Sequence, residues 1–172
     1  MKGKKIIGGI TVAVIILAGI GITYYTSALG NKVQKGDLNV TVADSSNANI
    51  SGIYITFTKV AIKDNQSSWE THSLNNQTVN IDVNATHSQD LGAFTMKAGD
   101  YNAVKLYMGA VTVSANGKNT TYNLDSRFVQ TSHTLRILAH QSTIMLFEFN
   151  SSSDLNMSAH TFTPNASIYT SF

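Results

Sequence analysis

The sequence predicts an all-β fold, an antiparallel β-sandwich of the immunoglobulin-like or transthyretin-like kind preceded by an apolar N-terminal signal helix. Three observations predict it. From Asp37 onward apolar residues recur with a period of two, the signature of half-buried strands. Turn-forming clusters separate the alternating runs at roughly 8–12 residue spacing, which suits a sandwich. The body contains one proline, no cysteine and no segment of helical periodicity.

The elements follow in order. Leu38, Val40 and Val42 alternate with Asn39 and Thr41, and Val79, Ile81 and Val83 alternate with Asn80, Asp82 and Asn84, so each run is a strand with one buried face. Residues 53–62 and 103–113 are longer β-branched and aromatic runs that suit central strands, the second interrupted by Gly109, where a bulge is expected. Shorter strands are expected at 69–74, 94–97, 121–124, 134–138, 143–149 and 166–172. Turns fall at Asp64-Asn65, Ala98-Gly99-Asp100 and Asn116-Gly117-Lys118.

Ahead of this body, Lys2, Lys4 and Lys5 precede the apolar run 6–22, and no ionisable side chain other than tyrosine follows until Lys32. A positive leader followed by an apolar segment is an export signal or a membrane anchor. Small residues permit cleavage after Ala28 or Gly30, and Gly8, Gly9, Gly19 and Gly21 weaken a permanent helix, so secretion is the favoured reading. The resulting organisation is a signal peptide or anchor at 1–30, a tail at 31–36 and a β-sandwich at 37–172. In either case the body is expected outside the membrane, contacting it only through the N-terminal segment.

Composition narrows function. Charged residues are 13% of the chain, against roughly 25% in an ordinary soluble domain. Asparagine, serine and threonine together make 53 of the 172 residues, so uncharged amides and hydroxyls hydrate the surface. A charge-driven nucleic-acid binder is not expected. Cysteine chemistry, disulfides and cysteine metal sites are excluded. His72, His87, His133, His140 and His160 are scattered without a metal-binding spacing, and no nucleophile elbow, P-loop or dinucleotide glycine pattern occurs. The expectation is a protein without catalysis, metal or cofactor.

The strongest chemical signal is the N-x-S/T acceptor, which occurs nine times, at Asn39, Asn49, Asn65, Asn76, Asn84, Asn119, Asn150, Asn156 and Asn165, whereas chance supplies about 3.4. Asn39 and Asn84 fall on polar strand faces, and Asn65 and Asn119 fall in or beside turns, so a sugar attached there meets solvent. Covalent N-glycans would supply the hydration that charge does not, and would cover exposed strand edges.

Two kinds of assembly element are present. In an extended tail Leu29, Asn31 and Val33 share one face and offer apolar anchors for adding a strand to a neighbour's edge. For a lysine–asparagine isopeptide link, Lys59 and Glu148 have the parity of apolar strand positions, which allows both to point inward although such residues more often reach out to solvent, and Lys32 and Lys35 are further amines.

The segments GDLNVTVAD at 36–44, IYITFTKVAI at 53–62, Trp69, KAGDYNAVKLY at 97–107, MLFEFN at 145–150 and FTPNASI at 162–168 resemble a family of secreted archaeal and bacterial β-domains of unassigned activity. The likeness covers nearly all of 36–172 and departs at Glu148 and Asn150, where two aspartates would flank the phenylalanine. Within that family, the asparagine-rich, cysteine-free form with a leader resembles the subunit of archaeal thread filaments. That resemblance implies a glycosylated extracellular filament on the cell surface, a head-to-tail homopolymer assembled by donor-strand complementation. Two alternatives stand beside it: a secreted or membrane-tethered adhesin or glycan-binding module, with Trp69 and the tyrosines as its platform, and a type IV pilin-like subunit that retains the apolar helix.

Overall fold

The computed structural model describes residues 33–45, 50–81, 87–132 and 134–172. Residues 1–30, expected as a signal or anchor and including Leu29, lie outside the described residues, as do Asn31, Lys32, Asn49, Asn84 and His133. Residues 34–172 form one compact unit.

Two sheets make the sandwich. The smaller has the order β12–β9–β1–β4, built from β1 (Lys35–Asp44), β4 (Gln89–Lys97), β9 (Ser142–Phe149) and β12 (Ala166–Ser171). The larger runs β10–β11–β6–β5–β2–β3, from β2 (Gly52–Asp64), β3 (Trp69–Asn80), β5 (Gly99–Ala115), β6 (Lys118–Leu124), β10 (Leu155–Asn156) and β11 (Thr161–Phe162), with β7 (Phe128–Thr131) and β8 (Leu135–Ile137) also pairing with β5. The expected all-β sandwich is there, but two of its strand pairs, β1–β9 and β11–β6, are parallel. Each joins strands separated by long crossovers, as parallel pairing requires.

Alternation decides which side chains meet. Leu38, Val40 and Val42 on β1, Met145, Phe147 and Phe149 on β9, Ile53, Ile55 and Phe57 on β2 and Val104, Leu106 and Val111 on β5 are all fully buried. Phe149 packs between the sheets, its ring tilted and its centroid 6.2 Å from Phe57 and 6.3 Å from Phe162. Fully burying each such side chain contributes about 1.5–3 kcal/mol, so these strands carry a continuous core.

The bulge expected at Gly109 is present: Thr56 pairs with Ala110 and Phe57 with Met108, leaving Gly109 as the extra residue. The run expected as a strand at 69–74 continues through Val79 and Asn80 in β3, which kinks where Asn75 and Asn76 adopt positive φ; of the run expected at 79–83, Asp82 and Val83 lie outside the described residues. A single helical turn, α1 (Ser151–Asp154), connects the end of β9 to β10.

Candidate assembly edges and glycan acceptors

An open sheet edge exposes unpaired backbone donors and acceptors, and proteins that avoid association usually bend or bulge it. The edge strand β3 is bulged opposite Phe57 and Lys59 and carries the two left-handed asparagines. The edge strand β4 shifts register against β1 between Val40 and Thr41. At the opposite edge of that sheet, β12 pairs with β9 over six successive residues, Ala166 to Ser171, without a shift. Its inward side chains Ala166, Ile168 and Thr170 are only half-buried, and Ala166 and Ile168 pack against the core cluster. Thus β12 combines a regular backbone edge with apolar side chains not yet covered.

Tail and sandwich meet differently from the expected boundary. Lys35 and Gly36, assigned to the tail at 31–36, already pair with Lys97 and Met96 in β1. The carbonyl of Gln34 accepts the N–H of Ala98 at 2.8 Å. Val33 is exposed.

Seven acceptor asparagines are described. Asn65, Asn76, Asn119, Asn150, Asn156 and Asn165 are exposed. Asn76 sits at the kink of the β3 edge and Asn165 immediately before β12. Asn156 uses its side-chain oxygen to accept the N–H of Ala159 at 2.9 Å. Asn39 differs. It is half-buried at the middle of β1, which is flanked by β9 and β4, and its amide donates to the Ser142 hydroxyl at 3.0 Å. Thr41 of the same acceptor triplet is 5% exposed, its hydroxyl 3.5 Å from the Met145 carbonyl.

The inward orientation that parity allowed for Lys59 and Glu148 is not the one they take. A bulge between Phe57 and Lys59 shifts the strand by one residue, so Val60 and Ile62 continue the buried face and Lys59 turns to solvent. On β9 the buried residues are Thr143, Met145, Phe147 and Phe149, which leaves Ile144, Leu146 and Glu148 on the outer side. The two residues therefore lie on the outer faces of different sheets. Lys35 is exposed on β1.

A polar network missing from the sequence reading closes the end of the sandwich where β1 and β9 finish. Asp44, 3% exposed, accepts the Ser151 N–H at 3.0 Å and the Ser151 hydroxyl in a second, short bond. Asp154, 4% exposed, accepts the Ser153 hydroxyl at 3.1 Å and the Asn165 N–H at 3.3 Å. Burial raises the Asp154 carboxyl above its usual range, and the charge of Asp44 adds to that, against the lowering effect of its hydrogen bonds. The only sequence signal was Asp44 ending an alternating run at an inward-facing parity.

At the other end an open cleft of about 340 Å³ is lined by Asp64, Asn65, Glu70, Lys97, Asp100 and Tyr101. Two of its carboxylates are engaged: Asp64 caps the N–H groups of Gln66 and Ser68, and Asp100 lies 3.6 Å from Arg136; Glu70 lies 3.2 Å from the buried His72 Nε2, which makes no hydrogen bond. Tyr101 donates to the Lys97 carbonyl at 2.7 Å, and its phenol is raised by burial and then by Glu70 and Asp64. His72 also packs its ring 4.7 Å from Phe94, joining the edge strands β3 and β4. His87 precedes β4, and His140 and His160 lie in turns.

A protein-family model for a domain of unknown function, DUF4382, matches residues 35–165. This chain belongs to the DUF4382 family. The DUF4382 match opens on the first residue of β1 and closes just before β12, so it spans eleven of the twelve described strands and leaves out β12. Neither the curated proteins nor the solved structures contain a match to this DUF4382 protein. The expected family of β-domains without assigned activity is thereby established at the level of the domain.

Proposed function

We propose that this protein is the structural subunit of an extracellular, N-glycosylated filament, in which the N-terminal tail of one copy adds a strand to the sandwich of the next. The observation that carries the reading is β12, an unbulged edge beside half-covered Ala166 and Ile168. A donated strand satisfies the open backbone groups of such an edge, and its alternate side chains cover the exposed apolar positions. Leu29, Asn31 and Val33 have the required spacing for a donor. Six exposed acceptor asparagines support a glycan coat, and those at Asn65 and Asn76 flank and blunt the β3 edge. The resemblance to archaeal thread filament subunits points the same way, as does the leader at 1–30.

A second reading, a secreted or membrane-tethered binding module, is favoured by Trp69 and Phe128, both exposed on the outer face of the larger sheet. Peptide and intact mass spectrometry on protein sheared from the cell surface, with gels run before and after heating in SDS, separates the two. The filament reading expects an N-terminus near Leu29 or Asn31, sugar on several acceptors and oligomers in the unheated sample. An unmodified monomer still carrying residues 6–22 overturns it and selects the tethered module or the pilin-like subunit.

A further inference from the structure

The outer faces of the two sheets carry opposite charge, and each carries exposed apolar side chains. On the larger sheet, strand pairing aligns three neighbouring rows: Lys59 with Ser73, Tyr107 and Phe128; Ala61 with Thr71, Lys105 and Gln130; Lys63 with Trp69 and Ala103. The Lys59 ammonium sits 4.4 Å from the centre of the Tyr107 ring. The Lys105 ammonium lies 4.5 Å from the Trp69 ring centre and 5.1 Å from that of Phe128, and the Tyr107 and Phe128 rings are 5.4 Å apart. Ring faces hold and orient an ammonium without neutralising it. The three rows contain three lysines and no carboxylate.

On the smaller sheet the outward rows are Asp37 with Thr95 and Ser142, Asn39 with Ala93, Ile144 and Ser171, Thr41 with Asp90, Leu146 and Tyr169, and Ala43 with Glu148 and Ser167. These four rows contain three carboxylates and no cation, around the exposed Ile144 and Tyr169. Lys35 and Lys97 pair beyond them at one end. Among the described residues eight large hydrophobic side chains are exposed, and five of them, Tyr54, Trp69, Phe128, Ile144 and Tyr169, belong to these two faces.

We infer that the two faces bind each other between copies: the lysine–aromatic face of the larger sheet docks on the acidic Ile144–Tyr169 face of the smaller sheet of a second copy of this chain. Apolar side chains at the centre of such a contact leave water, and the lysines and carboxylates around them set partner and orientation. Because the two surfaces are different, the contact is heterologous, and because they lie on opposite sides of the sandwich, a copy bound through one keeps the other for the next. The rows on the larger sheet contain no glycan acceptor. The rows on the smaller sheet contain only Asn39, whose amide is held by Ser142. This contact adds a lateral interface to strand donation at β12, shares with that reading the premises that the chain is exported and that copies associate, and is tested apart from strand donation.

The absence of cysteine provides the test. Thr71→Cys marks the larger sheet's face and Ser171→Cys the smaller sheet's, both at exposed positions outside every acceptor triplet. The full chain is produced with its own leader, recovered from the cell surface and oxidised mildly, with thermal melts confirming that each variant is folded. The expected result is a disulfide ladder of dimers, trimers and longer species from the double variant and none from either single variant. Adding Lys59→Glu and Lys105→Glu to the double variant is expected to reduce the ladder at least fivefold. Dimers from one single variant would mean that like faces meet, and no ladder from the double variant would mean that the faces do not meet; either overturns the inference. Binding of an acidic polysaccharide such as polygalacturonate through Lys59 and Lys105, with no ladder, assigns that face to a glycan instead and also overturns it. Filaments without a ladder leave strand donation standing alone, whereas a ladder without filaments keeps this interface and removes the filament reading.

Discussion

Ser151 donates both its backbone N–H and its hydroxyl to the buried carboxylate of Asp44, tying the last residue of β1 to the helical turn that follows β9. The two residues are 107 positions apart in sequence, so this contact fixes the end of a parallel strand pair. Asp44→Ala leaves two buried donors without this acceptor and is expected to lower stability by about 2–5 kcal/mol. Ser151→Ala removes one of the two bonds and is expected to cost about 1–3 kcal/mol. Urea unfolding of both variants measures the difference; equal losses below about 1 kcal/mol would mean that the contact is not buried in solution.

Asp154 gives the fold a pH dependence of definite sign. Its carboxyl is raised chiefly by burial, so the folded state holds the proton more tightly than the unfolded chain, whose aspartates titrate near about 3.9. The stability contributed by protonation is fully present below that unfolded value and is lost as pH rises through the folded one. Asp154→Asn keeps a neutral side chain at every pH. The stability of the natural protein relative to this variant is therefore expected to be greatest in acid and to decline toward neutrality, read from urea midpoints between pH 3 and pH 7. A difference that is flat with pH would refute the burial argument.

Gly36 is required for a different reason from Gly117. A Cβ at Gly36 would overlap the backbone carbonyl of Leu138 in the connection that crosses the start of β1, and that connection is held by His140 N–H to Lys35 and Asp37 N–H to Gln141. Gly36→Ala is expected to cost about 3 kcal/mol, because a backbone atom must move. Gly117 has φ of +74° in the β5–β6 hairpin and open space around it. Gly117→Ala is expected to cost about 1 kcal/mol, and Gly117→Asn less, since asparagine tolerates that conformation. Thermal melts of the three variants rank them.

Much of the sandwich was legible because period-two alternation reports directly on burial. Leu38, Val40 and Val42, and the long runs that became β2 and β5, were readable for that reason. Alternation fails where the period slips. The bulge before Lys59 reversed its face, and Glu148 shared a parity with Ile144 and Leu146 that is apolar yet outward. Short pieces such as β7, β10, β11 and α1 were missed because two to four residues carry no resolvable period. The Asp44–Ser151 contact was invisible because it depends on a parallel pairing between distant strands, which no local pattern encodes. Acceptor triplets were readable as a motif, but access to them was not, as Asn39 illustrates.

Glycan occupancy should therefore be uneven. Asn39 lies half-buried between paired strands with its amide bonded to Ser142, and Thr41 of its triplet is buried. Asn119 and Asn165 are exposed beside a hairpin and a strand start. Glycopeptide mapping of surface-sheared protein is expected to find sugar on Asn119 and Asn165 and a bare Asn39. Full occupancy at Asn39 would mean that modification reaches the chain before β1 pairs with β9, and would also block the outer face of the smaller sheet.

The β12 edge yields the sharpest prediction about assembly. Ile168 faces inward on the edge strand but is only half-buried, and it packs against the core cluster beside the open edge. A lysine introduced there places a charge where a donated strand would need an apolar partner, the device by which natural edge strands resist pairing. Because the position is half-covered, the aliphatic stem of lysine can stay against the core while its ammonium reaches solvent. Ile168→Lys is thus expected to melt within a few degrees of the natural protein yet to lose most of its polymer, measured as the sedimenting fraction of surface-sheared material. The same substitution at Thr71, on the outer face of the larger sheet, is expected to leave strand donation intact. If Ile168→Lys polymerises normally while folded, β12 is not the acceptor edge, and the donated strand must pair elsewhere.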